Sequence, residues 1–297
     1  MAHILTVFAR EGGAGKSFIS GNLAAEIAND GSKVLLVVCD PQNDNADRYL
    51  VDVLTGEQDN GYDTMEHRSV ADVLFHDLPY EDAVYRSLPY RKSEYRRLPD
   101  GTLRRFVSRK DIFRFDIIPS SSELSHYSIQ DVRDNQELYG LMAEKFSDAV
   151  NQYDYIIIDT PPSDSAVCVM ALAFSDHVII PVTSDDKSVN SLQLISSLVQ
   201  ELGMVGYPTH ILGMVFNKYM KNSPRDVSFD ESYAEYSDVS HIHFFKTHLP
   251  QSTVIGNASY FHTPLCSLTR CSLGPDKAMR AFTDEVYQLL ADGATRA

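Results

Sequence analysis

The sequence predicts an α/β fold, a doubly wound, mostly parallel sheet flanked by helices. Three observations carry that prediction. A short apolar run, a glycine loop and a helix-patterned stretch open the chain. A second apolar run ends within the first forty residues. Strand-length apolar runs then alternate with helical spacing from residue 154 onward. Strand, helix, strand in that order is a βαβ unit, which places helices on both faces of a parallel sheet.

Ile4 to Ala9 is too short for a buried helix and runs straight into glycines, so it predicts a strand. Lys16 to Asn29 places Phe18, Ile19, Leu23, Ala24, Ile27 and Ala28 at helical spacing, and Gly31 stands where a helix stop belongs. Lys33 to Cys39 (KVLLVVC) is the second strand. Asp154 to Asp159 (DYIIID) predicts a strand, Ala166 to Phe174 a helix, and His177 to Val182 (HVIIPV) a strand. Ser188 to Leu202 is a helix with Leu192, Leu194, Ile195 and Leu198 on one face, and Ile211 to Asn217 (ILGMVFN) is another strand. Asp276 to Leu290 closes the chain as a helix, with Ala278, Met279, Phe282, Val286, Leu289 and Leu290 toward the sheet. No repeat or linker interrupts this series, so a single domain over 1–297 is expected.

The 297 residues, 43% of them hydrophobic and 23% charged, exclude wholesale disorder. Cys39, Cys168, Cys266 and Cys271 form no CxxC pair and fit neither a zinc site nor a disulfide framework. His241, His243 and His248 keep no regular spacing with acidic or cysteine ligands, so a surface strand with alternating histidines is expected there. No run of about 18 apolar residues predicts a spanning helix. Met1-Ala2-His3 has neither the basic flank nor the length of a signal peptide, so the expected location is the cytoplasm.

The formal net charge of −15 argues against a generally basic nucleic-acid coat protein. It is unevenly spread. Residues 86–110 carry nine positive charges against two negative, a local net of +7 that leaves −22 for the rest. Pro99-Asp100-Gly101-Thr102 is a turn signal between two polar arms, so this basic insertion is expected to be hairpin-like.

Arg10-Glu11-Gly12-Gly13-Ala14-Gly15-Lys16-Ser17 lies after the first strand and opens the first helix. Glycines there let backbone N–H groups turn toward phosphate oxygens at a helix N-terminus. Lys16 is placed to reach the β- and γ-phosphates, and the Ser17 hydroxyl to coordinate Mg²⁺. The match to GxxxxGK(S/T) is imperfect, because Arg10 stands where the pattern has glycine. Asp40-Pro41-Gln42 closes the second strand and Asp159-Thr160-Pro161-Pro162 a later one, at the strand ends where such sheets bind ligands. Asp40 is the candidate for positioning an attacking water, and Asp159 for holding Mg²⁺ directly or through water.

As a set, Gly12 to Ser17, Asp40-Pro41-Gln42, Tyr155 to Pro162 and Ile179 to Val182 resemble the ParA/MinD family of deviant Walker ATPases, with the Asp-Pro-Gln element closest to the ParA branch. Ser69 to Leu74 is similar to the family segment after the switch region. The resemblance implies a P-loop ATPase fold, with ATP held by Glu11, Gly12, Gly13, Ala14, Gly15, Lys16, Ser17 and Phe18, and Mg²⁺ at Ser17 and Asp159. It also implies that Asn217 contacts the adenine and Pro250 lines the base pocket. A homodimer formed on ATP binding, non-specific DNA binding, and a ParB-like partner that stimulates slow hydrolysis come with it.

One residue departs from the family. The lysine that normally precedes the paired glycines, and reaches the partner subunit's phosphates, is Glu11 here. A carboxylate beside a triphosphate is repelled by about 1 kcal/mol or more, so Glu11 is expected to turn away or pair with Arg10. Arg10 and Lys187 are the candidates to supply the missing charge.

Residues 86–110 are the candidate DNA surface, through Arg91, Lys92, Arg96, Arg97, Arg104 and Arg105. A solvated hairpin or a docking site for an acidic partner are the alternatives, and Arg270, Lys277 and Arg280 form a weaker second patch. Three other functions stay open, one of them a metabolic P-loop enzyme, which would need a substrate pocket that the sequence does not identify. A MinD-like membrane-positioning protein needs a basic amphipathic tail, whereas the last helix carries Asp284, Glu285 and Asp292. An ATP-dependent scaffold with little or no hydrolysis fits the loss of the lysine. No helix-turn-helix precedes the first strand, so operator binding is not expected.

Overall fold

The apolar runs become the strands the sequence predicts, and the run at Val34–Val38 gains a neighbour it does not, Asp116–Ile118. The computed structural model describes residues 1–42, 44–52, 61–101, 103–135, 137–162, 165–207, 209–268 and 274–294. Its strands are β1 (His3–Val7), β2 (Val34–Val38), β3 (Tyr85–Arg86), β4 (Tyr90–Arg97), β5 (Leu103–Phe113), β6 (Asp116–Ile118), β7 (Tyr155–Asp159), β8 (His177–Val182) and β9 (His210–Phe216). The helices are α1 (Lys16–Asn29), α2 (Asp44–Leu50), α3 (Val70–Phe75), α4 (Ile129–Asp134), α5 (Glu137–Lys145), α6 (Ala149–Gln152), α7 (Ala166–Phe174), α8 (Asp186–Met204), α9 (Pro224–Ser240), α10 (Thr253–Tyr260) and α11 (Gly274–Ala294).

Seven strands form one sheet in the order β3-β6-β2-β7-β1-β8-β9. All pair in parallel except β3, which runs antiparallel to β6 at the edge. The central strands are buried on both faces, which is why β2 reads VLLVV with every residue buried. One face is covered by α3, α5, α7, α8 and α9, through Val73, Met142, Met170, Leu192 and Tyr233. The other is covered by α1, α2, α10 and α11, through Leu23, Tyr49, Ala258 and Phe282. α3 carries a capping box in which Ser69 and Asp72 satisfy each other's backbone N–H. Cys39, Cys168 and Cys266 are buried and in no disulfide among the described residues, and Cys271 and Arg270 lie outside them.

The basic insertion is a hairpin. β4 and β5 pair antiparallel as a separate ribbon, with Glu94 opposite Phe106, Tyr95 opposite Arg105 and Arg96 opposite Arg104. Gly101 near its tip takes a φ of +84°, a conformation that favours glycine. The register slips between Arg91 and Ser93. At that slip the Asn29 side chain, on the last residue of α1, exchanges two hydrogen bonds with the Ser93 backbone, at 2.8 and 2.7 Å.

Three expectations need correction. Arg105, grouped with the candidate DNA contacts, is buried. Its side chain is 2% exposed, stands 3.4 Å from the fully buried Asp276, and donates to the carbonyls of Leu265 and Leu268. Strand alternation turns Arg105 inward with Tyr95 while Arg104 and Arg96 face out. The surface strand expected around His241 and His243 is absent, since His241 caps α9 at a φ of +60° and His248 pairs with Asp230 at 2.8 Å. Arg280 belongs to a network with Asp30 at 2.6 Å and Asp284 at 2.7 Å, so it is no loose surface cation.

Candidate functional site

The sheet carries the β1–α1 loop, Asp40 and Asp159 to the same end, because β2, β7 and β1 are adjacent parallel strands. Residues 8–15 leave β1 and turn into α1, with Gly13 at a φ of +77° and Gly15 at +96°. Gly15 is demanded twice: a Cβ there would stand 1.9 Å from Asn217 Nδ2. That amide donates to the Ala14 carbonyl at 2.7 Å, so Asn217 holds the loop from the end of β9.

Lys16 is buried at the base of the loop, and its ammonium donates to the Glu11 carbonyl at 3.0 Å. Burial lowers its pKa from the ordinary lysine value, against the opposing pull of Asp159. Asp159 is fully buried, and burial pushes its carboxyl up to about 7, against the nearby Ser17 hydroxyl and the Lys16 charge. Its Oδ2 accepts from Asn45 Nδ2 at 2.9 Å, and the same amide donates to Ser20 at 3.0 Å. Asp159 Oδ1 and Asn45 Oδ1 are buried with no hydrogen-bond partner among the described residues. Unpaired, buried oxygens beside a phosphate-type loop fit a hard divalent cation such as Mg²⁺, with Ser17 and Asp159 its nearest candidate ligands. Asp40, half-buried past the end of β2, accepts from the Gln42 backbone at 3.0 Å.

A cavity of about 290 Å³ opens beside the loop, lined by Glu11 to Ala14, the 183–185 loop after β8, Asn217, Lys218 and Gln251. Pro250 forms a parallel bridge to Tyr219 behind that wall and is not among the lining residues. Phe18 packs partly buried against the core below α1. A larger cavity, about 460 Å³, lies at the base of the hairpin around Arg91 and His262, away from the loop.

Glu11 turns toward α8. The Ser191 hydroxyl donates to its Oε1 at 2.6 Å. The Lys187 side chain lies outside the described residues. Sequence reasoning missed Asn45 and Lys218. The signal for Asn45 was its place five residues after Asp40, and for Lys218 its place directly after Asn217.

On the outer face of the hairpin, the Arg96 and Arg104 guanidinium groups flank the exposed Phe106 ring at 5.3 and 5.9 Å. Arg91 and Arg97 are exposed and Lys92 is half-buried.

A family model described as an AAA domain, AAA_31, matches residues 2–205. The sporulation initiation inhibitor protein Soj of Bacillus subtilis is 28% identical over 201 residues, 67% of this chain and 66% of Soj's own length. The chromosome partitioning protein ParA of Caulobacter vibrioides is 23% identical over 265 residues, 88% of this chain and 85% of that protein. Among solved structures, an ATP complex of McdA from Cyanothece superposes with a TM-score of 0.71 at 18% identity, over 98% of this chain and 96% of that one, a likeness of fold. With the phosphate-type loop, the two strand-end aspartates and the parallel sheet, these matches place the chain in the AAA_31 family, among the ParA/MinD-type Walker ATPases.

Proposed function

We propose that this chain is a ParA-like switch that binds and hydrolyses ATP, dimerises when ATP is bound, and then binds DNA non-specifically. The observation that carries the reading is the buried Asp159, with an unpartnered oxygen, behind the glycine loop. A Mg²⁺ ion held by Ser17 and Asp159 would satisfy that oxygen.

In this reading the backbone of Gly12 to Gly15 cradles the phosphates and Lys16 leaves the Glu11 carbonyl to meet them. Mg²⁺ bound at Ser17 and Asp159 would neutralise charge on the β- and γ-phosphates. Asp40 orients the attacking water. Asn217 and the chain at Pro250 border the base. The hairpin meets DNA phosphates through Arg96 and Arg104 on its outer face together with the exposed Arg91 and Arg97 and the half-buried Lys92, while Arg105 anchors the ribbon from within. DNA binding would bring the dimer to the nucleoid, and a ParB-like partner would accelerate hydrolysis.

The test is ATPase rate with and without DNA, beside DNA retention with and without ATP at two salt concentrations. Retention that rises with ATP and falls with salt supports the switch. Retention indifferent to both refutes it. A scaffold with little turnover is the second reading, and the Glu11–Ser191 bond favours it, because that bond holds an acid where the family carries its bridging lysine. ATP binding without measurable hydrolysis would select it. No helix of the described residues is long and apolar enough to cross a membrane.

A further inference from the structure

The loop that must hold a polyanion carries an acid of its own, and the fold moves that acid aside while bringing a cation in from the opposite wall. Glu11 is drawn to α8 by Ser191, and its Oε2 is buried with no partner among the described residues. Across the cavity, Lys218 follows the last residue pair of the β9 strand end at a φ of +58°, a left-handed backbone that a lysine adopts only under constraint. The constraint is visible on both sides. Asn217 N donates to the Val182 carbonyl at 2.8 Å, Tyr219 N to the Leu249 carbonyl at 3.0 Å, and Gln251 N to the Tyr219 carbonyl at 3.1 Å. The strained residue is therefore aimed, and its ammonium stands 3.9 Å from where a Cβ on Gly13 would lie. Lys218 and Arg225 are the cations of the cavity lining, against the acids Glu11 and Asp185. Arg225 lies over the Phe229 ring, 5.7 Å from its centre, which leaves Lys218, among the described lining residues, as the cation turned to the Gly13 side of the loop.

We propose that Lys218 binds the nucleotide phosphates from within the same chain, on the Gly13 side of the loop, and offsets the charge of Glu11. The inference rests on the nucleotide-site reading above. It separates this chain's phosphate site from any need for a cation supplied across a dimer.

The experiment is calorimetric titration of the full chain, as wild type, Lys218→Gly and Lys218→Arg, with ATP, ADP and AMP in the presence of Mg²⁺. Glycine accepts the left-handed backbone without strain, so Lys218→Gly keeps its thermal stability. A cation on the phosphates predicts that Lys218→Gly loses about tenfold or more in ATP affinity, less for ADP, and under about twofold for AMP. Lys218→Arg keeps ATP affinity within about threefold of wild type. Equal losses for all three nucleotides would mean a role at the base or in the fold and would overturn the proposal, as would unchanged ATP binding. If the wild type itself binds no ATP, the site reading falls and this inference with it, a result distinct from a wild type that binds while Lys218→Gly matches it.

Discussion

Arg105→Met should be among the most damaging single substitutions in the basic hairpin, although it removes one charge from a segment of nine. The guanidinium and its Asp276 partner are 2% and 0% exposed. Among the described residues Asp276 Oδ1 has no hydrogen-bond partner as it is, and Oδ2 keeps only the Tyr95 hydroxyl, at 2.8 Å, once the arginine is gone. The Leu268 carbonyl loses the arginine as a donor, and the Leu265 carbonyl is left with the Leu268 N–H at 3.2 Å. Removing one partner of a buried pair costs about 3–5 kcal/mol, and the lost bonds to the two carbonyls keep the cost near the top of that range. In a domain of this size that is a fall in Tm on the order of 10 °C. Thermal and urea unfolding of Arg105→Met and Arg104→Ala give the comparison, with Arg104→Ala expected within about 0.5 kcal/mol of wild type. The double variant Arg105→Met/Asp276→Leu should recover most of the loss, because it leaves no unpaired charge. An Arg105→Met cost under about 1 kcal/mol, or a double variant no better than the single, would refute the argument.

Gly15→Ala combines a left-handed backbone penalty with a clash against Asn217 and the loss of its bond to Ala14, so it should cost about 2–4 kcal/mol in stability and abolish ATP binding, measured by calorimetry and thermal melts. Glu26 on α1 is buried with one unpartnered oxygen, and burial raises its carboxyl from 4.5 to about 8. The folded state then holds a proton that the unfolded chain releases near 4.5, so this group makes stability fall as pH rises from 4.5 to 8. Glu26→Gln should flatten that slope in pH-dependent unfolding. Replacing Arg91, Lys92, Arg96 and Arg97 by Ala should reduce the salt slope of DNA retention by up to about 3–4, while ATP affinity stays at wild type.

The loop, the helix it opens and the two strand-end aspartates were legible because each sits on a local signal. Glycines mark the turn, and an apolar strand ends in an acid. α1 runs over Lys16–Asn29 in the structure as its spacing implies. The pairings that needed distant chain were not legible. β3 is two residues long and β6 three, too short to carry a period, and they find each other only through the edge of the sheet. α9 mixes Tyr, Phe, Asp and Glu around its circumference, so no apolar stripe announced it. Arg104 and Arg105 are adjacent and identical in kind, and only alternation along β5 sends one to solvent and the other to Asp276. Lys218 was hidden for the same reason: its reach to Gly13 depends on a backbone conformation that no residue pattern encodes.

The two hydrogen bonds between Asn29 and Ser93 have a mechanical meaning. α1 begins at Lys16 in the glycine loop and ends on the ribbon, as one helix of 14 residues, a rod about 21 Å long. A rod transmits a tilt that a flexible linker would absorb. In the proposed switch a displacement of Lys16 would reach Ser93 through this helix, beside the ribbon's other anchor, Arg105 on Asp276 of α11. Asn29→Ala should then uncouple DNA retention from ATP while leaving both binding surfaces in place.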